Sequence, residues 1–201
     1  MIINREKLKE ITNCDHYDGS LLHSRFAYKF FKDKVYPAGN IIAFRSPMKV
    51  TDNLIDLEDA MNKDFIYSED AINFCMEIPK IDLFGGIAFQ RLMNTYIGNI
   101  LAEKYLKCSI LVDGDDLMVQ KEHNQGGIIQ QSGKASVSIA SQNNGAVLIH
   151  TGININAGKQ APAFAFSTKL NDIECNDFMA DIINTFYDTV NDIFVASTKV
   201  I

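Results

Sequence analysis

A β-hairpin is predicted between Lys134 and Asn154, and no other segment of the sequence limits the possible folds as strongly. Residues 135–139 alternate apolar side chains with serines, which is the period of a strand with one buried face. Asn144-Gly145 follows, and this pair best tolerates the positive φ angles of a tight hairpin turn. Residues 146–155 are more continuously apolar, as a central strand would be. The pattern therefore predicts two neighbouring antiparallel strands, with Lys134 at the entrance of the first.

The composition predicts a single soluble globular domain over residues 1–201. The chain is 47% hydrophobic, and its net charge of −6 disfavours a nonspecific nucleic-acid binder, which needs a basic face. No apolar run approaches the roughly 20 residues of a membrane span, and the apolar run at the N-terminus is too short for a signal peptide. The four cysteines and four histidines are scattered without zinc-ligand spacing. We therefore expect a cytoplasmic protein with reduced thiols, no metal site and no membrane partner.

Outside the hairpin, the periodicity predicts helices in both halves of the chain and a β-meander between them. The predicted helices begin at Ser20 and span 68–78, 87–106 and 176–195, and the predicted strands span 40–45, 108–112 and 117–120. Residues 121–132 are polar and contain glycine, which predicts a mobile loop that is either a lid or a plain surface loop. This order of elements predicts an α+β fold in which helices pack on one side of a mainly antiparallel sheet.

Several charged residues each allow two interpretations. Arg25 is either a solvated charge on a helix or a group that points into a pocket. The carboxylates of Asp56, Glu58 and Asp59 could chelate a divalent cation, or could belong to a solvated turn. Lys134 is either a solvated charge at a strand start or part of a functional site.

Short motifs are spread along nearly the whole chain. They comprise Tyr17–Ser20, Ile42–Arg45, Asp56–Asp59, Gln90–Leu92, Gly114–Leu117 and the strands at 134–139 and 150–155. In this order they resemble domain-of-unknown-function family 366, which has no established activity to carry over. The resemblance implies the fold shared by the biotin and lipoate protein ligases and the catalytic domain of class II aminoacyl-tRNA synthetases.

Residues 85–157 are also similar, more distantly, to the biotin ligases. Those enzymes have a long helix, a strand ending in a Trp-Pro-Asn-Asp turn, a Gly-Arg-Lys strand and a strand ending in Gly-Ile-Asn. The counterparts here are the turn at 113–116, Gly133-Lys134 and Gly152–Asn154. The similarity implies that Lys134 contacts the acyl-phosphate region of an adenylate, where a cation stabilises developing negative charge. It also places Asp116 at the end of the turn and Asn154 near the nucleotide.

The first half of the chain departs from the ligases. Their glycine-rich phosphate loop is absent, and Arg45–Lys49 stands in its place without a glycine. A phosphate cradle needs closely spaced backbone N–H groups, which glycine permits. Biotin transfer and ligase-like use of ATP are therefore in doubt, and no cofactor is assigned.

Two functions follow as hypotheses. The first is a ligase-like acyl- or nucleotidyl-transferase acting on a small carboxylate or nucleotide, with Lys134 as catalyst and Asp115 or Asp116 placing a metal or an amine. The second is a non-catalytic protein that keeps the pocket and binds a small molecule or nucleotide. A purely structural protein, without a small ligand, is a third possibility, and a homodimer is plausible for this fold.

The other ligand-binding candidates are Arg25, Arg45 and Arg91 as anion clamps, Ser136 and Ser138 as small residues that leave room for a ligand, and His150, Gly152 and Asn154 on the second strand.

Overall fold

The computed structural model describes residues 1–122 and 129–200. The helices are α1 (Arg5–Thr12), α2 (Ala27–Phe31), α3 (Leu57–Asn62), α4 (Leu83–Ile100) and α5 (Asp172–Ser197), with 3₁₀ turns at Ser20–His23 and Lys32–Lys34 and a π-helical turn, Leu101–Leu106, that extends α4. The strands are β1 (Asn40–Val50), β2 (Ile66–Pro79), β3 (Ser109–Asp113), β4 (Asp116–Glu122), β5 (Ile129–Lys134), β6 (Ser136–Asn143) and β7 (Ala146–Asn156). Among the described helices, none has the length and apolarity needed to cross a bilayer.

The strands form two antiparallel sheets. The larger has the order β1-β2-β7-β6 and the smaller has the order β3-β4-β5. The long helices α4 and α5 pack on one face of the larger sheet, around a core that includes Phe74, Met93 and Phe178. The short N-terminal helices cover the opposite face, and Phe26, the residue before α2, lies in one core cluster with Phe44 of β1. The predicted α+β class with a mainly antiparallel sheet is confirmed.

The helix predicted over residues 68–78 is wrong, because this segment is the central strand β2. Residues 71–78 are buried without interruption, and β2 pairs with β1 on one side and β7 on the other. A continuous apolar run has no period that separates a buried strand from a buried helix. The pairing on both edges therefore decides the structure.

Strand β1 also runs further than predicted. It continues through Ser46-Pro47 to Val50, with a register shift between Ser46 and Met48. Proline cannot donate to a ladder, but it is tolerated in an outermost strand next to such an irregularity.

The loop predicted at 121–132 is wrong at both ends, because β4 extends to Glu122 and β5 begins at Ile129. The glycines at 126 and 127, considered as part of a lid, lie outside the described residues.

The predicted hairpin is confirmed. Asn144 and Gly145 have φ angles of 47° and 75°, so both turn residues adopt the left-handed region. The alternation in β6 is also present, but its burial is the reverse of the simple expectation. Ser136 and Ser138 are buried beneath β4 and α4, whereas Val137 is only half-buried on the other face.

A glycine determines how closely α4 approaches the larger sheet. A Cβ atom added to Gly86 would lie 2.4 Å from Cγ1 of Val147. Gly86→Ala is therefore expected to lower the free energy of unfolding by roughly 1–3 kcal/mol, despite the helix propensity of alanine. Urea denaturation measures the change. Gly98→Ala is the matched control in the same helix, because its Cβ would meet the flexible end of Leu117 at 3.2 Å. Equal unfolding energies for the two variants would contradict this packing argument.

Candidate functional site

A cavity of about 460 Å³ lies on the face of the larger sheet that α4 and α5 leave uncovered. Val137 and Ile139 of β6 and His150 of β7 contribute to its floor. The apolar side chains of Leu54, Ile55 and other residues between β1 and β2 form part of its wall. We call this space the hairpin cavity, because both strands of the predicted hairpin line it.

Lys134 lies where the chain passes from the smaller sheet to the larger one. It is the last residue of β5, and Ser136 begins β6. The backbone of Lys134 is held by two 2.8 Å hydrogen bonds, to the carbonyl of Phe164 and from the N–H of Phe166. Its Nζ atom lies 2.7 Å from Oδ1 of Asp116, which begins the neighbouring strand β4. The two side chains are about one-third exposed and both line the hairpin cavity.

Asn154, like His150, is a polar residue of β7 that lines the same cavity. Its side chain is 5% exposed, and its backbone N–H and C=O bind Ala135 and Thr168. In the described part of the chain, Oδ1 of Asn154 is the one buried side-chain nitrogen or oxygen without a hydrogen-bond partner. Buried polar atoms are nearly always satisfied, so this acceptor needs an explanation, such as a ligand that donates to it.

Carboxylates predominate among the charged groups of the hairpin cavity. The described lining residues include five aspartates, Asp56, Asp59, Asp64, Asp115 and Asp116, and one cation, Lys134. Burial and the neighbouring charges of Asp56 and Asp64 raise the pKa of Asp59, although Lys134 opposes the shift. The sequence left open whether the 56–59 carboxylates reach Lys134. Asp56 and Asp59 line the cavity with it, whereas Glu58 is not among the described lining residues.

His150 forms a neutral part of the cavity floor. Its ring stacks on Tyr17 with centroids 3.7 Å apart, and Nε2 lies 3.0 Å from Oδ1 of Asn73. Burial lowers the pKa of His150 to about 3. The imidazole is therefore uncharged near neutral pH, and it acts as a packed surface rather than as an acid.

The serines of β6 are among the lining residues, but their hydroxyl groups are already engaged. Ser136 Oγ accepts from the N–H of Leu117 at 2.9 Å, and Ser138 Oγ accepts from Gln90 at 2.8 Å. Ser138 also lies 2.8 Å from the hydroxyl of Thr151. These contacts connect β6 to β4, α4 and β7. The two hydroxyl groups therefore hold β6 in place rather than bind a ligand.

The structure does not bring the three candidate arginines or Gly152 into the described lining of the hairpin cavity. Arg25 pairs with Glu77, Arg45 pairs with Asp70 and Asp172, and Arg91 contacts Asp115 at 3.4 Å. Gly152 faces Met48, whose Sδ would lie 2.6 Å from an added Cβ. The role of anion clamp that was expected for Arg45 has no support in this geometry, because two carboxylates already occupy the guanidinium.

Sequence reasoning missed part of the site. Asp64, Tyr17 and the apolar wall between β1 and β2 had no assigned role, although Tyr17 lies in one of the short motifs. The acidic residues at 56–59 were the sequence feature from which this wall could have been predicted. Its approach to Lys134 depends on chain segments that are far apart in sequence.

Solved structures share this fold. A protein of unknown function from Pyrococcus horikoshi has a TM-score of 0.77 and 21% identity, covering 100% of this chain and 97% of that chain. P. falciparum LipL1 in complex with lipoate has a TM-score of 0.50 and 11% identity, covering 94% of this chain and 62% of that chain. Lipoate-protein ligase A bound with ATP has a TM-score of 0.48 and 13% identity, covering 81% of this chain and 77% of that chain.

No curated protein matches this sequence. A family described as a domain of unknown function, DUF366, matches residues 7–201. The expected family and the expected ligase-like fold are therefore confirmed together. The chain belongs to the DUF366 family.

Proposed function

We propose that this protein is a ligase-like transferase that acts on a small molecule in the hairpin cavity. The observation that carries the proposal is the position of Lys134, whose ammonium group lies against Asp116 at the wall of a cavity that also contains the unpartnered acceptor of Asn154. A pre-positioned charge and an unsatisfied polar atom in one concave space are typical of a ligand site.

Lys134 is the proposed catalytic group. Its cation would stabilise the negative charge that develops on a carbonyl or phosphoryl oxygen during transfer. Asp116 holds the ammonium group at 2.7 Å. An incoming oxyanion would contact the same ammonium group as this carboxylate. Lys134 therefore needs little reorientation when negative charge develops on the substrate oxygen.

A non-catalytic binding protein is the second candidate, and one observation favours it. Residues 45–49 belong to β1, where Ser46 pairs with Ala71 and Met48 pairs with Ser68 across the ladder. This strand pairs with β2 on both sides of its register shift and occupies the position of the glycine-rich phosphate loop of the ligases. Such a strand offers no cluster of free backbone N–H groups to a triphosphate.

Lys134→Met is the variant that separates the two candidates. The purified protein is incubated with Mg²⁺-ATP, hydroxylamine and a panel of short carboxylic acids, and hydroxamate formation reports acyl transfer. Loss of Lys134 is expected to reduce the rate by about 100-fold or more, as for other oxyanion-stabilising donors. Lys104→Met is the control, because Lys104 pairs with Asp181 on α5 and is not among the described lining residues.

The outcome is decisive in either direction. Transfer that is lost in Lys134→Met and kept in Lys104→Met would support the transferase. Absence of hydroxamate with every acid, together with saturable ligand binding that Lys134→Met weakens, would favour the binding protein. Equal rates in the two variants would contradict the role of Lys134.

The predicted homodimer belongs to this proposal as well. Phe84 and Phe194 are 84% and 53% exposed on α4 and α5. Phe194 lines an apolar groove together with Phe89 and Val190, and Phe84 directly precedes Gly85, another residue of its lining. An exposed apolar surface of this kind is consistent with pairing between copies of the chain.

A further inference from the structure

The proposed function does not specify the chemical class of the ligand. The charged and apolar residues that line the hairpin cavity restrict that class. Its described charged lining is one lysine among five aspartates. Lys134 pairs with Asp116 and Arg91 contacts Asp115, so Asp56, Asp59 and Asp64 are the lining carboxylates without an ion-pair partner among the described residues. A carboxylate or phosphate ligand would enter a space with excess negative charge. A cation would instead be attracted, because the low dielectric of a partly enclosed site strengthens unscreened charge interactions.

The carboxylates differ in depth. Asp56 and Asp64 are exposed, whereas Asp59, Asp115 and Asp116 are half-buried. Asp59 is electrostatically coupled to Asp56 and Asp64, and this coupling with burial raises its pKa. A bound cation would relieve that repulsion. The exposed and the half-buried aspartates therefore both favour a cation.

Asn154 supplies an independent observation inside the same cavity. Its Oδ1 atom is buried, lacks a partner and is a hydrogen-bond acceptor. An acceptor of this kind is satisfied by an N–H or O–H group, which an ammonium ion carries and a carboxylate does not. The requirement for a donor thus agrees with the requirement for positive charge.

The rest of the lining selects an organic cation over a bare metal ion. Val137, Ile139, Ile55 and Phe164 present apolar surface to the cavity. Apolar surface stabilises a hydrocarbon body and contributes nothing to a hydrated metal. Across residues 1–122 and 129–200, the group of three ligand atoms within 4.8 Å of one another is Cys14, Asp15 and His16, none of which is a described lining residue.

We propose that the hairpin cavity binds a primary amine in its ammonium form, with an apolar body against β6 and the charged end between the aspartates and Asn154. This inference rests on the proposed function, since it assigns the substrate class of the same site. In transfer chemistry, the amine would be the acceptor held next to Lys134, and its ammonium would first release a proton to a carboxylate of the cavity so that the nitrogen lone pair is free to attack.

The test compares probes of equal length and different charge. Hexylammonium, hexanol and hexanoate are titrated separately at pH 7 by isothermal calorimetry, together with Mg²⁺ alone. Hexylammonium is expected to bind at least 10-fold more tightly than hexanol or hexanoate. Tighter binding of hexanoate, absence of hexylammonium binding, or binding of Mg²⁺ that hexylammonium does not displace would overturn the proposal.

Two variants locate the binding site. Asn154→Leu removes the acceptor and Asp59→Asn removes a half-buried charge, and each is expected to weaken hexylammonium binding by about 10-fold. Asp181→Asn is the control, because Asp181 pairs with Lys104 and is not a described lining residue. If Asn154→Leu fails to fold by circular dichroism, Asp59→Asn still decides the question, because its side chain makes no hydrogen bond among those described. Hexylammonium binding that Asp59→Asn leaves unchanged would also overturn the proposal.

Failure of the amine proposal is distinguishable from failure of the proposed function. Hexanoate binding that is lost in Lys134→Met would overturn the amine and keep the transferase. Hexylammonium binding together with equal transfer rates in Lys134→Met and Lys104→Met would keep the amine and reject Lys134 as the catalyst.

Discussion

Replacing Glu77 with alanine is expected to lower the free energy of unfolding by about 3–5 kcal/mol, because the change removes a buried carboxylate that accepts two backbone N–H groups and pairs with the partly exposed Arg25. Glu77 is 1% exposed on β2. One carboxylate oxygen accepts from the N–H groups of Phe26 and Ala27, at 2.7 and 2.8 Å, and the other accepts from Arg25. Without the carboxylate, the two N–H groups at the start of α2 are buried and unsatisfied.

The effect of Glu77 extends to the hairpin cavity. The contacts with Phe26 and Ala27 hold α2 over the sheet, and Leu22 in the preceding turn lines the cavity. Guanidinium denaturation at pH 7 measures the loss of stability. Glu103→Ala is the control, because Glu103 is exposed and its change is expected to stay within about 0.5 kcal/mol. A loss below 1 kcal/mol for Glu77→Ala would contradict the anchoring role.

Acidification is expected to destabilise the protein through His150. Burial lowers the pKa of His150 to about 3 in the folded chain, against roughly 6.5 in an unfolded one. Between these two pKa values, His150 is protonated in the unfolded chain and neutral in the folded chain. The stabilising contribution is therefore complete above pH 6.5 and decreases by about 1.4 kcal/mol for each pH unit below it, or about 3 kcal/mol by pH 4.

The contribution of His150 to the pH dependence of the unfolding free energy is obtained by comparing the native protein with a variant that lacks this histidine. Other carboxylates titrate in the same range, so the unfolding energy of the native protein is compared with that of His150→Asn from pH 7 to pH 4. The native protein is expected to lose stability more steeply, and His23→Asn is expected to keep the native slope, because His23 is exposed. Parallel curves for the native protein and His150→Asn would show that His150 is not the buried, neutral group described here.

The sequence predicted the hairpin correctly because its determinants are local. Asn144-Gly145 requires only its own backbone angles, and the alternation of residues 135–139 needs no distant partner. The centre of β2 is buried on both faces, so its residues show no clear strand period, and the helix predicted there is wrong. Its structure is decided by pairing with Ile41 and Ile149, which lie on two other strands.

The candidate site was only partly predictable for the same reason. Lys134, Asp116 and Asn154 share motifs of the hairpin and the preceding turn, and the structure brings them into one cavity. The sequence predicts anion clamps at Arg25 and Arg45 because it does not reveal their ion-pair partners. Their carboxylate partners include Glu77, 52 positions from Arg25, and Asp172, 127 positions from Arg45.

The central claim is that the hairpin cavity is the ligand site, and a ¹H–¹⁵N NMR titration with hexylammonium tests it most directly. The account predicts that the side-chain amide of Asn154 and the backbone amides of Val137 and Ile139 shift together along one saturable curve. The apolar groove between α4 and α5 provides the competing location, with Phe89 and Phe194 in its lining. Shifts confined to Phe89 and Phe194, with Asn154 unchanged, would contradict the claim.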